Sequence, residues 1–315
     1  MARTTQNSGK VHRRTALWFI ALMGLLAPAV PAAAAPPEDS EIVLPGATSA
    51  EGIAAGRGTT FYAGDLGTGD IFRGDIRTGK AKLFIDAPND GRAAVGMKAD
   101  TRNNLLFVAG GATGKAFIYD TESGEPVKTV ELAPGFINDV TLTRDGAWFT
   151  NSAAAVLYFV PVSRSGVVGE VQEPPLKLTG PAADASDPFN LNGIAAAQGG
   201  KTLIVAHSGN SELYTVNPEN GTSAKIEGVS VPNVDGILVR GHQLWAVQNF
   251  KNQVSHIRLS GDLSSGRVLD VIKSEDFNIP TTAALFGNTL AVVNAQFMDK
   301  KDKQFEVVLV RARDD

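Results

Sequence analysis

Six segments of the chain begin alike, with a polar or small residue, then glycine or another small residue, an apolar strand, a turn and a second apolar strand. They are EGIAAGRGTTFYAGD from Glu51, VGMKADTRNNLLFVAGG from Val95, NDVTLTRDGAWFTN from Asn138, NGIAAAQGGKTLIVAH from Asn192, DGILVRGHQLWAVQN from Asp235 and TAALFGNTLAVVN from Thr282. Successive starts lie 44, 43, 54, 43 and 47 residues apart, a period that suits the four-stranded blades of a propeller. A proline stands a few residues before each start (Pro45, Pro88, Pro134, Pro181, Pro232, Pro280), as expected where the chain leaves an edge strand and crosses inward. The last repeat runs out of chain after FEVVLVRA, whereas EIVLP at residues 41–45 has no partner of its own. The pattern therefore predicts an all-β, six-bladed propeller over residues 41–315, with the N-terminal strand 41–45 completing the last blade and hiding an open edge. No long window keeps apolar residues at the helical spacing.

The first 34 residues do not belong to that pattern. Arg3, Lys10, Arg13 and Arg14 come without any acid, TALWFIALMGLLAPAV follows, and PAAAAPPEDS supplies small residues for cleavage. This is the layout of a signal peptide cut after Ala34, with residues 35–40 as a short linker. The apolar run is too short and too broken by proline to span a bilayer. Export by the general secretory route is expected over the twin-arginine route, because the residues around Arg13-Arg14 fit the latter poorly. The chain has no cysteine, so the exported protein is stabilised by its core alone. Removing the four basic residues of the leader takes the formal net charge from −4 to −8, which disfavours nucleic acid and anionic membrane surfaces as partners. A secreted monomer acting on a small molecule is the expectation.

In a closed ring the inner strand of every blade starts at the same mouth, so the six heads, Glu51, Val95, Asn138, Asn192, Asp235 and Thr282, converge. Four of them carry carboxylate or amide oxygen. Singly, each Asx-Gly or Glu-Gly pair reads as turn chemistry. Together they place two anions across a narrow channel, which is unfavourable without a cation between them. Two carboxylates and two amides with no histidine or cysteine are hard ligands suited to Ca²⁺, another divalent cation being possible. Glu51, Asn138, Asn192 and Asp235 are the predicted metal ligands, and calcium would keep positions open for water or substrate.

The order Glu, Asn-Asp, Asn-Gly, Asp-Gly across blades one, three, four and five resembles the gluconolactonase, regucalcin (senescence marker protein) and luciferin-regenerating-enzyme family of six-bladed propellers, and more distantly the paraoxonases. The resemblance covers essentially the whole mature chain and is best at NDVTLTRDGAWFTN, Asn138 to Asn151. It implies that Glu51, Asn192 and Asp235 bind the metal, that Asn138 faces metal or substrate, and that Asp235 is the general base. Family members acting on sugar lactones usually carry an arginine two residues before the asparagine matching Asn138. Here that position is Phe136, which places a less polar lactone or ester beside a gluconolactone-type substrate as a candidate.

A site of this kind performs metal-assisted hydrolysis: the ion polarises a carbonyl while a carboxylate or histidine takes a proton from water. Loops after the second strands should open on the same mouth and bring Asp65, Asn151, His207, Asn249 and Asn294 to the rim. From these, His207 is a second candidate base, and Asn151 and Asn249 join Asn138 and Phe136 as substrate contacts, with Arg92 as an anion contact. GGATGKA (Gly110 to Ala116) lacks the glycine spacing of a phosphate loop, and DLGTGD (Asp65 to Asp70) joins two strands; both are read as turns. MDKKDK (Met298 to Lys303) is read as a solvated loop. Two further readings stay open beside the hydrolase: a non-catalytic extracellular propeller stabilised by calcium and binding a small ligand or partner, and a metal-free propeller of the strictosidine-synthase-like branch.

Overall fold

The structure is a computed structural model that describes residues 1–5, 40–187, 189–298 and 304–313. Contacts divide the chain into two units, Met1–Ala34 and Ala35–Asp315. Of the first, residues 1–5 are exposed and irregular; the predicted leader otherwise lies outside the described residues, as do the linker before residue 40 and most of MDKKDK.

The second unit carries six antiparallel sheets of four strands each, as the repeat count predicts. Blade one is built from Ala50–Ala55, Thr60–Asp65, Ile71–Asp75 and Lys80–Ile85, and blade two from Met97–Asp100, Leu105–Ala109, Lys115–Asp120 and Pro126–Glu131. Blade three follows with Ile137–Leu142, Gly146–Asn151, Val156–Pro161 and the short Leu176–Lys177, and blade four with Leu191–Ala197, Thr202–His207, Glu212–Val216 and Ser223–Lys225. Val234–Arg240, Gln243–Gln248, Gln253–Leu259 and Gly266–Ile272 form blade five. Blade six takes Pro280–Phe286, Thr289–Asn294 and Phe305–Arg311 from the C-terminal end and its outermost strand, Ser40–Leu44, from the N-terminal end. That closing strand runs from Ser40 opposite Leu309 to Leu44 opposite Phe305. The described residues contain no α-helix, only three one-turn 3-10 segments, and no helix among them is long and apolar enough to cross a membrane. The longest repeat step, after Asn138, is explained by the excursion between Pro161 and Leu176.

Strand alternation places the core between blades. In Thr60–Asp65, Phe61 and Ala63 join Ile42, Phe305 and Val307 of blade six, while Tyr62 on the other face joins Met97, Leu106 and Val108 of blade two. The same two-sided use recurs around the ring, so that each seam between neighbouring sheets has its own buried cluster. A strand that is apolar on both faces is what sequences such as LLFVA or TLAVV require. Buried hydroxyls tie blade to blade at the inner end: Thr150 donates to the Asn192 carbonyl at 2.7 Å, and Thr281 to the Glu51 carbonyl at 2.6 Å.

Candidate functional site

The inner strands do not pair regularly at their heads. In blade one the register jumps from Ala50 opposite Asp65 to Ile53 opposite Ala63, so Glu51 and Gly52 together face Gly64. Equivalent jumps leave Asn138-Asp139, Asn192-Gly193 and Asp235-Gly236 as two residues opposite one. Such a bulge breaks the ladder and re-aims side chains. It is what turns the four heads out of the seams and toward a shared cavity. Sequence periodicity gave the register of the heads but not this extra residue in each.

The glycines have a packing reason rather than a turn reason. A methyl at Gly52 would overlap the Val95 carbonyl of the next blade, and one at Gly193 would lie 2.6 Å from the Asp235 carbonyl. Both sit inside strands. The inner strands therefore approach closely at the mouth, and only glycine lets them. Blade three departs: Asp139 occupies this position, and its carboxylate accepts the Val140 N–H at 2.8 Å and the Ile194 N–H of blade four at 3.0 Å. Asp139 was not among the sequence candidates. It is a buried clamp between two blades.

Glu51, Asn138, Asn192 and Asp235 line one cavity of about 400 Å³, together with Ser208, Asn233, Asn249 and a set of apolar side chains. Val95 and Thr282, the other two heads, do not line it. The two asparagines are held in the same way. Asn138 donates from Nδ2 to Ser152 Oγ at 2.8 Å, and that hydroxyl donates to the Leu191 carbonyl at 2.7 Å. Asn192 donates to Ser208 Oγ at 3.1 Å, which donates to the Val234 carbonyl at 2.7 Å. Each amide nitrogen donates to a serine, and Asn192 also bonds Asp235, so the amide oxygen is the acceptor each asparagine keeps for the cavity.

The carboxylates are less well provided for. Asp235 accepts the Asn249 Nδ2–H at 3.0 Å. Burial pushes its carboxyl up to about 7, against the hydrogen bonds from Asn249 and Asn192 and with the help of the Asp139 charge. Burial also pushes Glu51 well above the ordinary carboxylate range, followed by repulsion from Asp235 and Asp139, and Glu51 Oε2 is buried with no hydrogen-bond partner. Asp139 is raised by burial too, with Lys98 opposing. Among the described residues no group of three or more His, Cys, Asp or Glu is arranged to hold a metal. An ion on this floor would rest on two carboxylates and two amides. An orphaned carboxylate oxygen, two carboxyls unwilling to ionise and two oriented amide oxygens fit a divalent cation.

Several residues expected on the rim are elsewhere. His207 is fully buried; its Nε2 lies 2.9 Å from the Asp184 carbonyl and its Nδ1 accepts the Asn210 N–H at 3.1 Å. With both ring nitrogens spent it has no lone pair for a substrate water. Asn151 accepts the Phe136 and Ala153 N–H groups at 3.0 and 3.1 Å and donates to the Pro134 carbonyl at 3.1 Å. It holds the backbone of Phe136, which does line the cavity. Asp65 and Asn294 make the same kind of loop anchor, and in blade five the anchoring position is Gln248, one residue before the expected Asn249. Arg92 pairs with Asp90 at 2.7 Å, donates to the Tyr119 hydroxyl at 2.9 Å and lies 4.5 Å from the Phe117 ring centre. That site is away from the cavity lining. Phe189, Phe250 and Phe297 line the cavity and escaped the sequence reading; their signal was a lone phenylalanine in a turn-rich segment, as in SDPFN and QNFKN.

No protein-family model matches the chain, and no curated protein matches it. Solved structures do. The major allergen Mala s 1 of Malassezia sympodialis aligns over 87% of this chain and 96% of its own, with a TM-score of 0.64 and 15% identity. A protein from Lactobacillus plantarum aligns over 78% and 77%, with a TM-score of 0.56 and 17% identity. The β-propeller domain of Cps50 (Swd1) from Myceliophteria thermophila aligns over 85% and 87%, with a TM-score of 0.57 and 11% identity. At such identities the likeness is one of fold, and with the strand order above it establishes the chain as a six-bladed all-β propeller.

Proposed function

We propose that the chain is an exported, calcium-dependent hydrolase of lactone or ester type, related in its site to the gluconolactonase and regucalcin family. The observation that carries this reading is the cavity floor, where the buried Glu51 and Asp235 carboxyls stand with two serine-oriented asparagines and, among the described lining residues, no lysine, arginine or histidine. Glu51, Asn138, Asn192 and Asp235 would hold the ion. When bound, it supplies polarisation of the scissile carbonyl and stabilisation of charge developing on its oxygen. The chain's own part is to orient and to move a proton. Ser152 and Ser208 fix the amides. Asn249 fixes Asp235, the carboxylate that would accept a proton from attacking water. Export rests on the sequence of residues 1–34 alone.

The spent ring of His207 favours a second reading. Asp235 would then have to serve as both ion ligand and base, and a propeller that binds calcium and a small ligand without turnover fits the same floor. Metal analysis of the purified protein, melting with and without chelator, and a lactone and ester panel separate these. Calcium-dependent turnover supports the hydrolase. Bound calcium with an inert panel leaves the ligand-binding propeller, and absence of any divalent ion removes both in favour of a metal-free, strictosidine-synthase-like propeller.

A further inference from the structure

The walls of the cavity differ from its floor. Leu66, Phe136, Phe189, Phe250 and Phe297 reach it from connections at blades one, three, four, five and six. Five separate segments thus deliver an apolar side chain to one space. Phe136 and Phe189 meet edge to face, 5.9 Å between ring centres. Phe250 is carried by the tight turn Asn249–Lys251, with Asn249 Oδ1 accepting its N–H at 2.7 Å. Phe189 and Phe250 are 55% and 56% exposed, a degree of exposure that isolated core-forming rings do not need and that a ligand would relieve.

The polar inventory points the same way. Among the described residues no lysine, arginine or histidine lines the cavity, so no side chain described along its wall pairs with a carboxylate or phosphate substituent. A polyhydroxylated ring needs several donors and acceptors along the wall. Few of these are described on the wall: Ser208 donates to the Val234 carbonyl, Asn249 bonds Asp235 and Phe250, and Asn233 is the one further polar side chain described there besides the four floor residues.

We infer that this site takes a neutral lactone or ester whose substituent is apolar, an alkyl chain or aryl ring, with the carbonyl at the Glu51–Asp235 floor and the substituent against the phenylalanine wall. The inference names the ligand class of the site and rests on the floor reading above for where the carbonyl sits.

The test is a series of γ-lactones carrying straight side chains from none to eight carbons, run on calcium-replete protein, with dissociation constants by calorimetry and turnover measured separately. Affinity should rise about fourfold per methylene until the chain leaves the cavity, and gluconolactone and a carboxylate-bearing lactone should bind at least tenfold more weakly than the hexyl lactone. Phe189→Ala and Phe250→Ala, at mostly exposed positions that keep folding safe, should each flatten that slope. A flat alkyl series, tighter binding of gluconolactone, or an alkylammonium ion outcompeting the lactones would overturn the inference. The two readings fail separately. A rising alkyl series without turnover removes the hydrolase and keeps the ligand class, whereas calcium-dependent turnover of gluconolactone with a flat series does the reverse.

Discussion

Two rings of buried polar side chains surround the mouth of this propeller, and they differ in what is left over. The outer one sits at the ends of the second strands: Asp65, Asn151, His207, Gln248 and Asn294, all at most 1% exposed. Each is satisfied by the segment that leads into its own blade. Asp65 accepts Ser49 N–H, Asn151 bonds Pro134 and Phe136, His207 bonds the Asp184 carbonyl, Gln248 the Pro232 carbonyl, and Asn294 bonds Asp276 and Asn278. The inner set, Glu51, Asn138, Asn192 and Asp235, is also made of carboxylates and amides and is buried at Glu51, Asn138 and Asp235 and half-buried at Asn192. It keeps an unpartnered carboxylate oxygen and two carboxyls held above their usual range. Burial of a polar residue therefore does not mark a site. Unspent hydrogen-bonding and charge capacity facing a cavity is what makes the inner set the candidate.

The sharpest way to break the comparison is to exchange one residue from the inner set. Asp235→Asn removes the proposed base and a proposed ion ligand at constant shape, so turnover should fall by about 10²–10⁴-fold while the chelator-treated protein melts no lower than the wild type. Equal activity in kcat/KM measurements would return Asp235 to the structural ring. The next effect is in pH. An unfolded aspartate titrates near 3.8 and the folded Asp235 near 7, so between these values the folded state holds a proton that the unfolded state has released. The stability contributed is fully present below about 3.8 and is lost as pH rises through about 7. Without calcium the melting temperature of the wild type relative to Asp235→Asn should fall across that window, and saturating calcium should abolish the fall, because the ion favours the ionised form. A pH-independent difference would show that burial does not penalise this carboxylate.

Blade number and ring closure were legible because alternation and turn punctuation are local properties repeated six times over, and EIVLP had only one sheet to complete. The floor was legible because its four members share a register. What the sequence hid was direction. Asn151 and His207 stand at the predicted strand ends, yet their side chains turn back onto their own loops, since a one-residue difference in a bulge decides which way a strand-end residue points. In blade five that difference moves the anchor to Gln248 and leaves Asn249 on Asp235. The Asn-Gly and Asp-Gly pairs read as turns and are strand residues, because what selects glycine there is a neighbouring blade far away in sequence. The phenylalanine wall was hidden for a related reason. Phe189, Phe250 and Phe297 lie in connections, where no periodicity says which way a ring faces.

Asn151→Ala tests the outer ring. It leaves the Phe136 and Ala153 N–H groups and the Pro134 carbonyl without their partner, so stability should drop by about 2–4 kcal/mol, seen as a shifted denaturant midpoint with unchanged slope. Calcium affinity should change little, since Asn151 does not line the cavity. A loss of calcium binding without a loss of stability would move this residue into the inner set.

Gly52→Ala probes the junction between the two rings and carries the smallest expected energy. The added methyl overlaps the Val95 carbonyl, and overpacking of this kind costs about 1–3 kcal/mol as strands shift apart. The shift falls beside Glu51, whose carboxylate has the orphaned oxygen, so calcium affinity should suffer more than the loss of stability alone would predict. Gly58→Ala is the matched control: nothing lies within 4 Å of its missing Cβ, and its φ of +63° confines the damage to local strain. If both variants lose the same stability and both retain calcium, close approach of the inner strands is a packing convenience with no bearing on the floor. If only Gly52→Ala loses the ion, the glycines after the heads are there to hold the carboxylates in place.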